Sequence, residues 1–202
     1  MKRIFSVLFV LILIVMAFAA CSSKGDVGQA YSYTASTVSK SQIYEYAKQG
    51  VMTPIVYTDL GNETDELEIS AKLGMKRSEL VELLGEDQLV TTRSGNYKKV
   101  STSAAYYYFN AQQQQDNGVV AIVCLDSIYG FGISTTTVEQ VRQKMGEDGV
   151  KDEAKGDEIS FLPYSAGVTA DRLTYTCGNN TLEFYFISGG LSATILSVTG
   201  EW

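Results

Sequence analysis

Two segments that repeat after 61 residues constrain the fold of this chain most. Residues 74–87 and residues 135–148 both place apolar side chains at helical spacing, and both end in Gly-Glu-Asp. Leu80 of the first segment aligns with Val141 of the second, and each lies on the apolar stripe of its segment. An internal repeat of this kind predicts two copies of one supersecondary unit, each beginning with a short helix.

The predicted helices carry start and stop residues. Thr137 and Gln140 have the spacing of a capping box, and Gly146 stands where a helix can end in a left-handed turn. A further helix is predicted over residues 41–50, with Ser41 as its cap. These signals set the expected helix ends independently of any tertiary contact.

Strands are predicted after each of the two repeated helices, because apolar and aromatic residues alternate there between glycine and asparagine turns. The predicted strands cover residues 97–100, 104–109 and 119–125 in the first copy, and residues 172–177, 181–187 and 191–198 in the second. The resulting fold class is α+β. We expect two tandem helix-plus-antiparallel-meander repeats that share one sheet, with the helices on one face.

The N-terminal residues predict export. Lys2 and Arg3 precede an apolar run over residues 4–18, which is shorter than the ~20 residues that a membrane-spanning helix needs. The Ala-Ala-Cys join that ends at Cys21 resembles the bacterial lipobox. This resemblance implies cleavage before Cys21, a diacylglyceryl group on its thiol, and a lipid anchor in the cell membrane that faces outside the cytoplasm.

The chain is therefore divided into five parts. Residues after Cys21 are mostly small and polar and show no apolar period, which is typical of a flexible tether. The parts are a signal peptide over residues 1–20, the lipidated cysteine and tether over residues 21–40, an N-terminal helix with an irregular lead-in over residues 41–66, repeat 1 over residues 67–130 and repeat 2 over residues 131–202.

Composition excludes several kinds of function. The chain has no histidine, which removes Ser-His-Asp and Cys-His catalysis and the zinc sites that need imidazole. It has 16 Lys and Arg against 23 Asp and Glu, and the net charge of −7 argues against nucleic acid as a partner. The acidic stretch over residues 147–158 lacks EF-hand spacing and is predicted to be a solvated loop. The sequence thus predicts no enzyme, no metal site and no cofactor.

Two cysteines remain once Cys21 is assigned to the lipid. Strand alternation places Cys124 with Ile122 on one face and Cys177 with Tyr175 on one face, so both thiols are expected to point into the core. Export would allow a disulfide between them, which would stabilise the fold by roughly 2–4 kcal/mol. The alternative is two buried thiols that never meet, and the sequence leaves both open.

The aromatic strands of the two copies can be aligned by matching Phe109 with Phe186. One face of the aligned strands is then apolar and is expected to pack on the helices. The other face is expected to meet solvent and to bind a partner; it comprises Tyr106, Tyr108, Glu183 and Tyr185. Exposed tyrosines supply large contact areas in binding surfaces, although strand propensity alone also favours tyrosine on a wet sheet.

A short signature occurs at the start of each copy. It consists of Gly74-Met75, Glu79-Leu80 and Leu84-Gly85, with a degenerate copy at Thr135-Thr136, Gln140-Val141 and Met145-Gly146. This pattern resembles the tandem-repeat fold of the beta-lactamase inhibitor proteins, and it is similar to the helix-then-strands unit of small outer-membrane assembly lipoproteins. The resemblance covers about residues 67–200 and implies protein binding through a concave sheet.

These observations together predict an exported, lipid-anchored, non-enzymatic module that binds a protein partner through the solvent face of its sheet. The alternative is a cell-envelope assembly or structural lipoprotein without a compact ligand site. The sequence identifies neither the partner nor the host.

Overall fold

The computed structural model describes most of the chain after residue 37. The described residues are 31–32, 38–52, 55–57, 67–69, 71–84, 90–91, 97–101, 105–110, 118–162 and 165–202. The predicted signal peptide and Cys21 lie outside the described residues. The helices in the described part are α1 (Lys40–Lys48), α2 (Arg77–Leu84) and α3 (Val138–Met145), and a 3₁₀ helix covers Gly156–Ile159.

The strands of the described part form two antiparallel sheets. A small sheet contains β1 (Tyr31–Ser32), β2 (Ile55–Tyr57) and β3 (Leu67–Ile69). The large sheet contains β4 (Val90–Thr91), β5 (Tyr97–Ser101), β6 (Tyr106–Asn110), β7 (Val119–Cys124), β8 (Val150–Lys155), β9 (Thr169–Cys177), β10 (Asn180–Ile187) and β11 (Gly190–Val198). Its strand order is β4-β5-β6-β7-β11-β10-β9-β8. The α+β class is confirmed.

The helix caps explain where α1 and α3 begin. Thr137 and Gln140 form the predicted capping box at α3. At α1 the cap is Ser39, whose side chain accepts from the backbone N–H of Gln42, so the prediction of Ser41 as the cap is wrong by two residues. Both serines suit this role, and the one that has glutamine three residues later completes a capping box.

The hairpins of the second half match the predicted strands closely. β9, β10 and β11 follow one another as a meander, and each contains the whole of the strand predicted there. Ser188 and Gly189 connect β10 to β11 with φ of 53° and 82°. A two-residue turn with both φ values positive matches the right-handed twist of the flanking strands.

The acidic stretch over residues 147–158 is not the loop that was predicted. It contains strand β8 and most of the 3₁₀ helix. β8 lies at the edge of the sheet and pairs with β9 on one side. Ala154 is its one buried side chain, so the strand shows no apolar alternation that a sequence pattern could detect.

The predicted tether and lead-in also contain strands. β1 lies within residues 21–40, and β2 lies within the lead-in over residues 41–66. The two strands pair antiparallel, with Tyr31 opposite Tyr57. A strand of two residues is too short to show an alternating pattern in the sequence. It is defined only by its pairing with the neighbouring strand.

Two clusters of buried apolar side chains lie on opposite faces of the large sheet in the described part of the chain. The first cluster joins the sheet to all three helices, and it contains Ile43 of α1, Leu80 of α2 and Val141 of α3. The second cluster lies on the other face. Its buried members are Tyr108, Ala121, Val123, Ala154, Ile159, Leu162, Ala170, Tyr185, Ala193 and Ile195.

Candidate binding face

The predicted division of the aromatic strands into two faces is confirmed. Phe109, Phe184 and Phe186 belong to the first cluster and pack with the helices. Tyr108 and Tyr185 belong to the second cluster on the other face. Side chains alternate along a strand with period 2. Once one residue of a strand is assigned to a face, the alternation therefore assigns the others.

The prediction that this second face meets solvent is wrong for three of its four residues. Tyr108 is 3% exposed, Glu183 is 8% exposed and Tyr185 is 1% exposed. Tyr106 is partly exposed. The face is therefore a second core and not a wet surface, and burial raises the pKa of Tyr108 to about 12.

A segment that follows β8 covers this face. We call residues 156–162 the cover. Ile159 and Leu162 of the cover are buried in the second cluster, and the ring of Phe161 meets the ring of Tyr185 edge-on at 5.2 Å. The apolar residues Ile159, Phe161 and Leu162, which follow a polar stretch, are the signal in the sequence that indicates a buried segment here.

Trp202 completes the covering layer. Its ring centroid lies 4.8 Å from that of Tyr108 and 5.9 Å from that of Phe161. Trp202, Phe161 and Tyr106 are each partly exposed and each packs against the second cluster. Phe161 and Trp202 contact each other, and Tyr106 packs on the same cluster from β6; we call these three side chains the aromatic rim.

The four residues predicted to bind a partner do not form one compact patch. Tyr106 lies opposite Val123, Val123 opposite Ile195, and Ile195 opposite Glu183. Tyr106 and Glu183 thus share one row across the sheet. They are three strand spacings apart, which is about 14 Å. Tyr108 of β6 contacts Trp202, whereas Glu183 and Tyr185 lie beside a charged group on β8 and β9.

Arg172 of β9 is the centre of that charged group. Its guanidinium donates to Asp152 through Nε at 2.9 Å and through Nη2 at 2.5 Å. It also lies 3.5 Å from Glu158 of the cover and 3.7 Å from Glu183. One guanidinium is thus shared by three carboxylates that come from β8, β10 and the cover.

Burial and neighbouring charge have opposite effects on the carboxylates of this group. Burial raises the pKa of Glu183 above its usual range. The charge of Arg172 and a hydrogen bond that the Tyr185 hydroxyl donates to the carboxylate at 3.2 Å partly offset this increase. The hydrogen bond from Arg172 lowers the pKa of Asp152. Sequence analysis did not predict this charged group, because the partners of Arg172 lie on two other strands and on the cover.

Cys124 and Cys177 are free and buried, so the disulfide alternative is wrong. Cys124 lies on β7 and Cys177 on β9, and β11 and β10 separate these two strands. Three strand spacings amount to about 14 Å, which is twice the ~7 Å that a disulfide can span. Both thiols belong to the first cluster, as predicted, and burial raises the pKa of each to about 11.

No group of His, Cys, Asp and Glu side chains among the described residues has the geometry to hold a metal ion. None of the helices in the described part of the chain is long and apolar enough to span a membrane. The face described above consists of packed aromatic rings beside a charged network.

The fold and this face define an α+β protein whose antiparallel sheet carries helices on one side and an aromatic cover on the other. No protein-family model matches the chain, and no curated protein matches it. Among solved structures, the chain is similar to the crystal structure of a DUF4309 family protein (YjgB) from Bacillus subtilis, with 11% identity and a TM-score of 0.46. The match covers 79% of this chain and 95% of that chain.

Proposed function

We propose that this chain is an exported, lipid-anchored and non-enzymatic protein that binds a protein partner through the aromatic rim. Its location would be the cell membrane, on the side that faces away from the cytoplasm. The export part of the proposal rests on the sequence that leads to Cys21, namely a basic start, a short apolar run and Ala-Ala-Cys. An acyl chain would be needed for membrane attachment, because the cleaved chain, which lacks Lys2 and Arg3, has 14 Lys and Arg against 23 Asp and Glu and a net charge of −9 that anionic headgroups repel.

The observation that carries the binding proposal is the aromatic rim itself. Tyr106, Phe161 and Trp202 are partly exposed and rest on a buried base that includes Tyr108 and Tyr185. Large aromatic side chains held by such a base contribute most of the energy in many protein interfaces. This proposal keeps Tyr106 from the predicted set and assigns Tyr108, Glu183 and Tyr185 a supporting role beneath the surface.

We also propose that the large sheet consists of two tandem repeats. Helix α2 followed by β4–β7 would be one repeat, and helix α3 followed by β8–β11 would be the other. Both bounds of α3 lie 61 residues after those of α2, which is the period of the sequence repeat. Each half contributes four consecutive strands, and the last strand of each half meets the other at the centre of the sheet. This arrangement supports a pseudo-twofold relation between the halves.

Lipidation is tested by replacing Cys21 with Ala in the full chain and labelling cells with a radioactive fatty acid. We expect the native chain to carry the label and to partition into detergent. The Cys21→Ala chain should remain an unlabelled precursor. A labelled, mature-size Cys21→Ala protein would contradict the lipoprotein assignment.

Partner binding is tested by cross-linking the full chain in intact cells and identifying the captured proteins. We expect Tyr106→Ala and Trp202→Ala to lose the same captured protein. Tyr46→Ala is the matched control, because Tyr46 is a partly exposed tyrosine on α1, a helix of the opposite side. Loss in all three variants, or in none, would contradict the aromatic rim as the binding surface. Capture of many unrelated envelope proteins would favour the structural alternative.

A further inference from the structure

The cover lies outside the hydrogen-bonded ladder of the sheet. β8 and β9 pair antiparallel up to Lys155 opposite Thr169. The cover leaves the ladder directly after Lys155 and folds back over the second cluster. Compact surface segments of about 6–16 residues whose ends lie close together often serve a function of their own. The sheet beneath is paired without any contribution from the cover.

Side chains, and not backbone bonds, hold the cover against the sheet in the part of the chain that the structure describes. The backbone bonds of the cover run within it, from Ser160 N–H to Asp157 C=O at 3.2 Å and from Leu162 N–H to Ile159 C=O at 2.9 Å. Its closing contacts are the burial of Ile159 and Leu162, the edge-on contact of Phe161 with Tyr185, and the ion pair of Glu158 with Arg172.

We propose that residues 156–162 are a lid that opens as a unit while the eight-stranded sheet stays intact. The Glu158–Arg172 ion pair would act as its latch. Opening breaks side-chain contacts alone, so it requires less free energy than global unfolding, during which the ladders separate as well. Opening would uncover Tyr185 and one side of Trp202. This inference goes beyond the proposed function and does not depend on the existence of a partner.

The position of Arg172 explains why the latch can release without disturbing the sheet. When Glu158 leaves, the guanidinium keeps both hydrogen bonds to Asp152 and remains beside Glu183. Arg172 therefore stays paired in the open state, and no buried charge is left without a partner. Glu158 itself is half exposed, so its carboxylate passes into water at little cost.

Hydrogen exchange of the full chain, purified in detergent and followed by mass spectrometry, tests the opening. We expect peptides that cover the lid to exchange faster than peptides from β10. Glu158→Gln should speed exchange of the lid by about twofold to fivefold, because an exposed ion pair contributes at most this factor. Lys151→Gln is the matched control, since it breaks an ion pair to Asp171 that joins β8 to β9 and involves no residue of the lid.

Equal exchange rates for the lid and for β10 in the native chain would overturn the lid. An unchanged lid rate in Glu158→Gln, or an equal increase in Lys151→Gln, would overturn the latch.

Fluorescence gives a second readout, because Trp202 is the one tryptophan of the chain and lies beside Phe161 of the lid. We expect Phe161→Leu to increase quenching of Trp202 by acrylamide, and Phe131→Leu, in the first cluster, to leave it unchanged. Equal quenching in both variants would overturn the lid.

Discussion

The hydroxyl of Thr194 gives the sharpest test of how the face of β11 that meets the first cluster is packed. Thr194 lies opposite Cys124 of β7 and opposite Phe184 of β10, and both of these belong to the first cluster. The side chain is 0% exposed, and its Oγ1 has no hydrogen-bond partner among the described residues. Folding therefore removes a hydroxyl from water without compensation, which costs about 1–3 kcal/mol.

Thr194→Val should recover that free energy. Valine has nearly the same shape and the same branching at Cβ, so neither a cavity nor a clash is introduced. We expect the free energy of unfolding to rise by about 1–3 kcal/mol. For a chain of this size each kcal/mol raises Tm by about 2–4 °C. Urea unfolding and a thermal melt of the full chain in detergent measure the two quantities.

Two variants separate this explanation from a general effect of hydrophobicity. Thr194→Ser keeps the hydroxyl and loses the methyl group, so it should destabilise the fold by about 1 kcal/mol. Thr181→Val removes a hydroxyl that is hydrogen-bonded to Thr199 at 2.8 Å, so it should not stabilise the fold. If Thr194→Val unfolds at a lower urea concentration than the native chain, the hydroxyl has a partner and the reasoning is refuted.

Three further predictions concern the two cores and the charged group. Phe184→Ala and Tyr185→Ala should each lower the free energy of unfolding in urea by about 3–5 kcal/mol, because the sheet is buried on both faces. A decrease of less than about 0.5 kcal/mol for Tyr185→Ala would mean that its face is open to solvent. Burial raises the pKa of Glu183, so the folded chain binds the proton more tightly and the free energy of unfolding falls as pH rises through that pKa. Glu183→Gln should remove this fall in urea unfolding measured from about pH 4 upward, and an unchanged slope would contradict it. Gly149→Ala should lower Tm, because an added Cβ would lie 2.6 Å from the Tyr175 ring, and an unchanged Tm would contradict that contact.

The residues of the candidate site were found from the sequence only in part. Tyr106, Tyr108, Glu183 and Tyr185 were correctly placed on one face, since period-2 alternation is a property of each strand by itself. Their burial was missed. Whether a face is open depends on which distant segment packs on it, and the cover reaches this face from outside the strands that carry the tyrosines.

Local patterns in the sequence determined the elements of this protein: the repeated helices, the capping box of Thr137, the meander of the second half and the faces of its strands. Each of these depends on residues a few positions apart, where backbone geometry and side-chain spacing act directly. The tertiary structure alone decided the order of the strands, and with it the separation of Cys124 from Cys177. It also decided that Arg172 is shared by three carboxylates and that Phe161 and Trp202 close the second face. These features join residues that are distant along the chain, and only packing brings such residues together.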